Sequence, residues 1–557
     1  MYNNFILFLS SYFLILFSII GYGTIFLRLF NNKIEQNFGY VGLCGIFFLI
    51  FYSYISNIFF SHSELHNLVF LSIGLTFFII FFKKNFIKLR KEFILTSFIF
   101  LLLFISSLIF KNHDDFPYYH FPYTFYLTQQ SSYFGIGQFN HGFRTPSSIF
   151  YLNSLFYLPA VKYYLFNFSA IYILGFSNII LLKKIHIFFS SLNLNNKVRF
   201  KYNYLNYLNL FVFTFINIFF YRIGEHGTDR SAQILIFILI IIMLEYFLIN
   251  KLNKINLIFI YILLGIIISL KAFYILYILV LLPLFLFIYE KKNNLILTLN
   301  YFIINKIFLF LFTLIFLIFG SYFVNTGCFI YPVSFTCVEN LSWSLPINEV
   351  NRMNNWYELW SKAGANPNFR VDNPDQYIVK LNWLNNWINN YFFNKMSDFI
   401  LGVLFMILIF FLYCFKIKDS KIKNKTKLNK HSILLFSILV ILTFEWFYNH
   451  PALRYGGYCL LTLLLFIPSS LTLNRFKISI NKFTNFVFVI TLITTFIFLG
   501  RNFYRINKEI NFYNYMPLKV TFYEIDKHHF RIQNQMDKFE KKRIKTIYGK
   551  KVFTLNK

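Results

Sequence analysis

Two adjacent carboxylates, Asp114 and Asp115, are the residues of this chain best suited to chemistry. They lie in a polar segment, residues 111–149, between two apolar stretches. Polar groups beside a bilayer are costly unless they are used, so this segment is the first candidate for a functional site. An ionised carboxylate can act as a general base or hold a divalent metal ion. We therefore predict that Asp114 or Asp115 is catalytic, and a divalent metal on this pair is the one cofactor that the sequence leaves open.

The same segment supplies a histidine and an arginine. His120 follows two tyrosines directly after the carboxylates, a cluster that is unusual in a simple linker. Arg144 lies in a glycine-containing turn that leads into the next apolar stretch. Its guanidinium either binds a phosphate through two parallel hydrogen bonds or pairs with Asp114 or Asp115. His120 and Arg144 are predicted substrate-binding residues.

A second polar stretch, RIGEHGTDRSA, places Glu225, Asp229 and Arg230 in one short connection. Charges crowded between apolar stretches often line a cavity, which would make Glu225 and Arg230 substrate-binding residues. The alternative is solvated capping of two helix ends, because a carboxylate such as Asp229 is favourable near a helix N-terminus without any further role. The sequence leaves both interpretations open.

Cationic residues also occur at two later positions in apolar surroundings. Lys271, in IIISLKAFYIL, lies either at a turn between two spans or inside one tilted helix, where it would need an anionic partner such as a lipid phosphate. The plain alternative is a lysine that snorkels to the interface. The stretch FYNHPALRYGGY contains His450, Arg454 and Tyr455, and an arginine beside glycines suits a phosphate, with interface anchoring as the alternative. All four side chains are predicted to bind substrate.

The largest polar region, residues 326–397, begins with GCFIYPVSFTC and carries most of the tryptophans. Cys328 and Cys337 either form a disulfide, which an oxidising compartment favours, or remain free thiols. Tryptophan is typical of membrane interfaces, and the alternative is an aromatic platform for a sugar or a lipid. The region is long enough to form short helices that lie on the membrane.

Composition indicates a multi-pass membrane protein. Of the 557 residues, 57% are hydrophobic and 13% are charged, with a mean hydropathy of +0.56. Lysine- and arginine-rich cytoplasmic loops account for the formal net charge of +31. A nucleic-acid partner would need a soluble basic module, and the sequence contains none.

The apolar runs predict an all-α, polytopic transmembrane helical bundle of about 12–14 spans in residues 1–500. Sorting the loops by positive charge puts four polar loops together on the extracytoplasmic face. These loops are residues 111–149, 222–231, 326–397 and 449–457. The run 150–182 is too long for one simple span, so part of it is expected to re-enter or to lie along the interface. A polar tail, residues 501–557, follows the membrane domain.

The order of these residues resembles a known group of membrane proteins. The block from Asp114 to Phe156 is followed by Lys271, by GCFIYPVSFTC and by Arg454–Tyr455. Within the block stand Tyr119–His120, Leu127, Gly137, Asn140, Arg144, Ser147–Ser148 and Phe150. This ordered set is similar to that of a poorly characterised family of bacterial multi-pass membrane proteins, which look like distant relatives of the GT-C glycosyltransferases. The resemblance covers most of the membrane region and not the tail.

The resemblance implies a GT-C-like fold with a large extracytoplasmic loop. GT-C enzymes carry an acidic motif in an early outer loop and use lipid-phosphate-linked sugars at the outer face. The motif usually follows the first span, whereas several spans precede it here. By the same resemblance, Asp114 or Asp115 is the catalytic carboxylate and Arg454 or Arg144 a phosphate contact.

The leading expectation is a bacterial inner-membrane enzyme that transfers a sugar from a polyprenyl phosphate to a glycan, lipid or protein acceptor at the periplasmic face. Its expected partners are that lipid, the acceptor and membrane lipids, and the sequence does not indicate an oligomeric state. One alternative is an O-antigen or capsule polymerase or ligase, which relies more on arginine and histidine. Another is a transporter of lipid-linked oligosaccharide, which needs polar residues along the spans. The sequence offers few of these, chiefly Lys271 and Glu445.

Overall fold

The computed structural model describes most of the chain as helix. The described residues are 2–30, 37–109, 113, 115–191, 203–225, 227–303, 306–365, 371–421, 428–513, 544–547 and 550–553. Asp114, one of the two predicted catalytic carboxylates, lies outside the described residues.

The α-helices of the described chain are numbered in order. They are α1 (Tyr2–Arg28), α2 (Phe38–Phe59), α3 (Glu64–Lys84), α4 (Phe86–Leu103), α5 (Phe121–Gln129), α6 (Ser148–Ser154), α7 (Phe168–Ser191), α8 (Asn203–Phe219), α9 (Thr228–Ile249), α10 (Lys254–Leu270), α11 (Leu281–Lys292), α12 (Leu295–Ile303), α13 (Lys306–Thr326), α14 (Ile347–Lys362), α15 (Pro374–Ile378), α16 (Leu384–Trp387), α17 (Ser397–Ile417), α18 (Lys430–Asn449), α19 (Gly457–Leu473) and α20 (Ile480–Tyr513). Two antiparallel strand pairs complete the described chain: β1 (Ser420–Lys421) with β2 (Phe476–Lys477), and β3 (Ile544–Ile547) with β4 (Lys550–Phe553).

Ten helical segments of the described chain are long and apolar enough to cross a membrane. They are Phe5–Arg28, Phe38–Phe59, Glu64–Lys84, Tyr163–Ile185, Thr228–Ile249, Ala272–Lys292, Lys306–Thr326, Leu384–Ile417, Lys430–Asn449 and Ile480–Phe512. Three shorter apolar helices, Tyr204–Phe219, Lys254–Leu270 and Gly457–Leu473, accompany them. The chain is therefore an all-α, multi-pass membrane protein. Its ten long segments are fewer than the 12–14 spans predicted from the sequence, and that range is reached only if the shorter apolar helices also cross.

The long segments differ in how much of their apolar stretch is covered by the rest of the protein. The buried share is 94% in Tyr163–Ile185 and 83% in Thr228–Ile249, but only 28% in Lys306–Thr326 and 22% in Leu384–Ile417. A helix that is apolar all round and buried belongs to the interior of a bundle. The first two segments therefore form the centre, and the other two expose apolar side chains where lipid would surround them.

Glycine lets the N-terminal helices approach closely. A Cβ atom added to Gly23 of α1 would lie 1.9 Å from the carbonyl oxygen of Val41 in α2. One added to Gly21 would lie 1.9 Å from the carbonyl oxygen of Gly74 in α3. Packing through small residues is a common way for membrane helices to gain contact. A larger side chain at either position would push these helices apart.

A buried histidine joins α2 to α6. Nε2 of His62 lies 2.8 Å from Oγ of Ser56, and Nδ1 lies 2.6 Å from Oγ of Ser154. Burial, with a smaller contribution from His66, lowers the pKa of His62 to about 3. His62 is therefore a neutral, hydrogen-bonded link in the interior at physiological pH.

In two stretches the helix bounds differ from the apolar runs and the tail that the sequence suggests. The run 150–182 is not one helix, because α6 ends at Ser154 and α7 begins at Phe168, with irregular backbone around Pro159. This agrees with the expectation that the run is more than a simple span. The helix α20 continues to Tyr513, so the first residues assigned to the polar tail extend a membrane helix.

Ion pairs collect at the two ends of the bundle. One end carries Lys183–Glu92 (2.7 Å), Lys430–Glu290 (2.9 Å) and Lys482–Asp419 (2.6 Å). The opposite end carries the four polar loops, and we call it the loop end. The candidate site lies there.

Candidate functional site

Loops that are distant in sequence meet at the loop end. Arg454 contacts Asp115 of the acidic segment and Asp229 at the start of α9. Trp387 of the large polar region donates from Nε1 to the carbonyl oxygen of Pro451, at 2.9 Å. All four polar loops therefore contribute to one connected surface.

Arg454 bridges two carboxylates. Its Nη2 lies 3.5 Å from Oδ2 of Asp115, and its Nε lies 3.2 Å from Oδ2 of Asp229. Oδ1 of Asp229 accepts a hydrogen bond from Nζ of Lys271. We call Asp115, Asp229, Lys271 and Arg454 the charge cluster, which has no formal net charge. Asp229 is the least exposed member at 14% and touches both cations, whereas the Asp115 side chain is 31% exposed and more open to a ligand.

Asp115 directly precedes an unusually wide helical turn. A π-helix covers Phe116–His120 and runs into α5, and the carbonyl oxygen of Asp115 accepts from the backbone N–H of Tyr119 at 3.2 Å. Turns of this kind are rare and are found frequently at functional sites. Oη of Tyr119 also donates to Oδ2 of Asp115 at 3.2 Å, and Nδ1 of His113 lies 3.5 Å from the same oxygen. The turn therefore fixes the carboxylate and presents a hydroxyl beside it.

Arg454 is carried by a short 3₁₀ turn, Leu453–Tyr455, between α18 and α19. Nε2 of Gln233 in α9 donates to the carbonyl oxygen of Arg454 at 3.1 Å, and Oε1 accepts from the backbone N–H of Cys459 at 3.0 Å. Gly456 has φ of 114°, a conformation that glycine adopts without strain. A side chain at this position would distort the turn and move Arg454.

Two helices begin next to residues of the charge cluster. Helix α9 begins at Thr228, one residue before Asp229, and α19 begins at Gly457, directly after the Arg454 turn. Backbone N–H groups at a helix start carry partial positive charge and favour an anion. The two termini therefore add to the positive charge that the side chains supply.

Lys271 stands at the break between α10 and a nine-residue 3₁₀ helix, Ala272–Val280. The sequence allowed a turn between two spans or a position inside one tilted helix. In the structure, Lys271 lies at a junction between two helical elements. Nζ of Lys271 lies 4.7 Å from the centre of the Tyr455 ring, in addition to its contact with Asp229. A 3₁₀ run of this length is uncommon. It carries Tyr274, whose buried hydroxyl has no hydrogen-bond partner among the described residues.

Aromatic rings cover the cluster. The centre of the Trp360 ring lies 5.3 Å from Cζ of Arg454 and 5.9 Å from the centre of the Tyr455 ring. The ring of His450 lies 5.9 Å from that of Tyr455 on another side. Aromatic faces stabilise a guanidinium that is partly withdrawn from water. They also give the site apolar walls.

Burial and neighbouring charges set the protonation states. Burial lowers the pKa of Lys271, and the Asp229 carboxylate offsets this only in part. Burial also acts against the charge of Arg454, but Asp229 and other neighbours raise its pKa overall, so the guanidinium stays charged. Burial lowers the pKa of His450 and raises the pKa of Tyr455 to about 12. His450 and Tyr455 are therefore neutral near pH 7.

Arg144 belongs to a neighbouring set of contacts. Its Nε donates to the carbonyl oxygen of Gly137 at 3.2 Å, its Nη1 to Oη of Tyr331 at 2.7 Å, and its Nη2 to Oε1 of Glu349 at 3.0 Å. The pairing with Asp115 that the sequence suggested is replaced by the pair with Glu349. With its guanidinium engaged on three sides, Arg144 ties the acidic segment to the large polar region.

A disulfide joins Cys328 to Cys337 at the start of the large polar region. The loop that it closes carries Tyr331, the hydroxyl partner of Arg144. The short helices α14, α15 and α16 follow, as the sequence predicted for this region. The disulfide loop therefore helps to position α14, which lies next to the charge cluster.

Glu225 and Arg230 lie in a different cluster. Oε1 of Glu225 accepts from Nε of Arg222 at 2.9 Å and from Arg505 of α20, which also pairs with Glu509 at 2.8 Å. Nη1 of Arg230 donates to the carbonyl oxygen of Arg222 at 2.8 Å. In the described chain neither Glu225 nor Arg230 contacts the charge cluster. The structure does not bring these two predicted substrate-binding residues to Asp115.

The other predicted residues fall near the cluster. Asp115, Lys271, His450, Arg454 and Tyr455 are brought together. The buried ring of His120 packs 5.2 Å from that of Phe150 and 4.4 Å from that of Tyr119, so it supports one wall of the site.

The described residues do not fit a divalent metal site. Among them, no group of three or more His, Cys, Asp or Glu side chains could hold a metal ion. Arg454 contacts both carboxylates, and Lys271 contacts Asp229 as well. These cations would repel a divalent ion at the same oxygens. The positive charge at this site comes from side chains.

Comparison with known proteins identifies a family. A family model described as Domain of unknown function (DUF8201) matches residues 5–461. The chain belongs to this family. The matched part contains the whole charge cluster, whereas Arg505 and Glu509 lie beyond it. No curated protein and no solved structure matches the chain.

Sequence reasoning left Asp229 and Trp360 out of the substrate-binding set. Asp229 was interpretable as a helix-start residue, yet it is the only carboxylate of the charge cluster that contacts both cations. One sequence signal could have identified Asp229. Lys271 stands at the end of an apolar helix and is stabilised by an anion, and the polar stretch that contains Asp229 is predicted at the same face of the membrane. No sequence pattern distinguishes Trp360 from a tryptophan that anchors in the interface.

Proposed function

We propose that this protein is a glycosyltransferase of GT-C type, which moves a sugar from a polyprenyl-phosphate donor to a glycan, lipid or protein acceptor. The protein would lie in the bacterial inner membrane, with its loop end in the periplasm. The observation that carries it is the bridge from Arg454 to Asp115 and Asp229, with Lys271 on the other oxygen of Asp229. An accessible carboxylate and two fixed cations meet there at one end of a membrane bundle.

In the proposed reaction, Asp115 takes the proton of an acceptor hydroxyl. The acceptor oxygen forms a bond to the anomeric carbon of the donor sugar. The bond between that carbon and the phosphate oxygen breaks, and its electron pair leaves with the polyprenyl phosphate. A positioned general base contributes on the order of 10²–10⁴-fold to such a step. Asp115 suits this role because it is partly exposed and held by the hydroxyl of Tyr119.

Arg454 and Lys271 suit the leaving phosphate. Cations that are already fixed stabilise the developing charge without reorganisation of the site. Both are held by Asp229, which therefore acts as a positioning residue. The helix starts at Thr228 and Gly457 favour an anion at the same place.

The depth of the cluster favours a lipid-linked donor. Asp229 is the second residue of the span Thr228–Ile249, and Lys271 directly precedes the span Ala272–Lys292. The ends of spans lie where lipid headgroups begin. A polyprenyl chain could therefore stay in the bilayer while its phosphate reaches the cluster, an arrangement that a water-soluble nucleotide sugar would not need.

Phosphate binding is tested first, with farnesyl phosphate as the probe and the full-length protein in lipid nanodiscs. The comparison is between wild type, Arg454→Ala and Arg501→Ala. Arg501 is an exposed arginine at the loop end that contacts Ile218 and Tyr221 and not the cluster. We expect Arg454→Ala to weaken binding at least tenfold and Arg501→Ala to leave it unchanged. Equal affinities in all three would remove the phosphate site from the proposal.

Catalysis is tested in cells that lack the native copy. Asp115→Asn removes the charge and keeps the shape, so we expect a loss of the transferred sugar of at least 100-fold, in line with the contribution of a general base. Asp114→Asn is compared in parallel. Surface glycans are analysed by mass spectrometry with protein levels matched to Arg501→Ala. Unchanged glycans in Asp115→Asn at a normal protein level would overturn the catalytic role.

One observation favours the second candidate function, an O-antigen or capsule polymerase or ligase. His450 stands in the same connection as Arg454, and its Nδ1 is buried with no hydrogen-bond partner among the described residues. A histidine beside an arginine is what that function would use. The length of the surface polysaccharide separates the two functions, because loss of a polymerase leaves single repeats, whereas loss of a transferase removes one sugar from every repeat.

A further inference from the structure

The exposed apolar side of α13 continues into the loop that follows it. Phe312 and Phe316 are exposed, and their spacing of four residues puts them on one side of the helix. Phe323 lies seven residues after Phe316, on the same side, and its ring stacks on that of Phe329 with 4.4 Å between the ring centres. The side of α13 that lipid would surround therefore extends to Cys328–Cys337, which we call the disulfide loop.

The exposed side chains of the disulfide loop are apolar. Phe329, Ile330 and Phe335 are exposed, and Phe335 is the most open of the three at 89%. No residue from Cys328 to Cys337 is charged, so the loop offers no cation to an anion and no carboxylate to a cation. Contact of these side chains with water is unfavourable. The loop therefore fits an apolar partner, either the bilayer or the apolar surface of another protein.

Much of the loop backbone is hydrogen-bonded within the loop. The N–H of Phe329 donates to the carbonyl oxygen of Thr336 at 3.2 Å, and that of Val333 donates to the carbonyl oxygen of Ile330 at 2.7 Å. Oγ1 of Thr336 accepts from the N–H of Ile330 at 3.1 Å. Backbone groups left unpaired are costly wherever a segment leaves water for lipid. This pairing therefore lowers the cost of moving the loop into the edge of the bilayer.

The disulfide loop lies at the level of the membrane interface. The span ends at Thr326, and Gly327 alone separates it from Cys328. The ends of spans lie where lipid headgroups begin. Nε1 of Trp343 donates to the carbonyl oxygen of Phe323 at 3.3 Å, and tryptophan is enriched at this depth. The bilayer is therefore the apolar partner that already lies beside the loop.

We propose that the disulfide loop is a membrane anchor, which inserts Ile330 and Phe335 into the edge of the bilayer at the loop end. The inference does not depend on the proposed function. The loop is tied to the candidate site through Tyr331, whose hydroxyl accepts from Nη1 of Arg144 at 2.7 Å. Arg144 also pairs with Glu349 of α14. The inserted loop therefore helps to fix the height of the large polar region above the lipid.

Fluorine NMR of the full-length protein in nanodiscs tests the insertion. 4-Trifluoromethylphenylalanine replaces one residue at a time and keeps an aromatic ring at Phe335. Phe316, an exposed residue of α13, is the reference for lipid, and Asp372, an exposed residue of the large polar region, is the reference for water. Each labelled protein is measured with a water-soluble gadolinium chelate and, separately, with lipids that carry a nitroxide on the acyl chain.

We expect the nitroxide lipids to relax the label at Phe335 at least threefold faster than the label at Asp372. The gadolinium chelate should relax it at least threefold more slowly. The inference is overturned if the Phe335 label responds to both reagents as the Asp372 label does, because the loop then stands in water. It is also overturned if neither reagent relaxes the Phe335 label, a result that indicates a protein covering the loop. Neither result bears on the phosphate site, since the experiment uses no donor and no acceptor.

Discussion

Asp229 and Arg454 are 225 positions apart in the sequence, and their side chains form an ion pair with 3.2 Å between Oδ2 and Nε. Because Asp229 also holds Lys271, one carboxylate at the start of α9 determines where both cations stand. Removing it should leave the two cations close together with Asp115 as the only described counter-charge. Asp229 is therefore expected to maintain the geometry of the site, although its side chain is less exposed to a ligand than that of Asp115.

We expect Asp229→Asn to lower the free energy of unfolding by about 1.5–3 kcal/mol, the usual contribution of hydrogen bonds to charged groups. It should also weaken farnesyl phosphate binding, since Arg454 and Lys271 lose their common anchor. Thermal unfolding in detergent and calorimetry would measure the two effects. Asp372→Asn, which removes an exposed carboxylate of the large polar region, is the matched control. A variant as stable as Asp372→Asn and with wild-type affinity would contradict this role.

The pair of Arg144 and Glu349 should show stronger coupling than the neighbouring surface pair of Arg352 and Glu349. The Arg144 side chain is 8% exposed, whereas Arg352, which contacts the other oxygen of Glu349, is 73% exposed. A double-mutant cycle with Arg144→Ala and Glu349→Ala should give a coupling energy of about 1–3 kcal/mol. The matched cycle with Arg352→Ala should give about 0.2–1 kcal/mol, as exposed ion pairs do. Equal coupling in the two cycles would mean that Arg144 does not tie the acidic segment to α14.

The sequence was informative where one residue type imposes its own requirement. Apolar runs predicted a helical membrane protein, and lysine-rich loops grouped four polar loops that the structure brings into contact. For Lys271 the sequence left open a turn between two spans and a buried position that needs an anion. The structure has the junction between two helical elements, and it pairs the lysine with Asp229. The partner of Arg144 could not be predicted in this way. From the sequence alone, several carboxylates are equally good partners for the Arg144 guanidinium. Only the packing of α14 against the acidic segment selects Glu349.

The cluster around Glu225 is expected to serve stability and not phosphate binding. Arg505 pairs with two buried carboxylates, Glu225 and Glu509, whose side chains are 6% and 8% exposed, and Arg222 contacts only the first of them. Removing Arg505 therefore takes a cation from two buried carboxylates at once. Arg505→Ala should therefore lower the free energy of unfolding by about 3–5 kcal/mol. The folded fraction should bind farnesyl phosphate with wild-type affinity, because neither Glu225 nor Arg230 contacts the charge cluster in the described chain. Loss of affinity without loss of stability would instead return Glu225 and Arg230 to the substrate-binding set.

This cluster also shows why a local charge pattern was not enough. Glu225, Asp229 and Arg230 lie within one short connection, and no pattern of residues separates them. In the structure, the first turn of α9 directs Asp229 toward Lys271 and Arg230 toward Arg222. Adjacent residues on a helix point in different directions, so one connection serves two clusters. The start of a helix has to be known to within a residue before such an assignment is possible.

Acid should destabilise the protein through His62. Its pKa of about 3 in the folded protein lies below the unfolded value of about 6.5, so the folded state binds fewer protons between these values. The contribution of neutral His62 is fully present above pH 6.5 and is lost as the pH falls toward 3. At pH 4.5 the loss amounts to about 2–3 kcal/mol, since each pKa unit is worth about 1.4 kcal/mol. Thermal unfolding between pH 7.5 and 4.5 would measure it.

His62→Asn is the variant that isolates this term. Asparagine keeps a polar side chain between Ser56 and Ser154 but does not titrate. The variant should be less stable than wild type at pH 7.5, and the difference should shrink as the pH falls, because only the wild type carries the neutral His62. His66, whose ring is stacked 5.6 Å from that of His62, remains in both proteins. Parallel pH profiles for the two proteins would show that His62 is not held neutral by the interior.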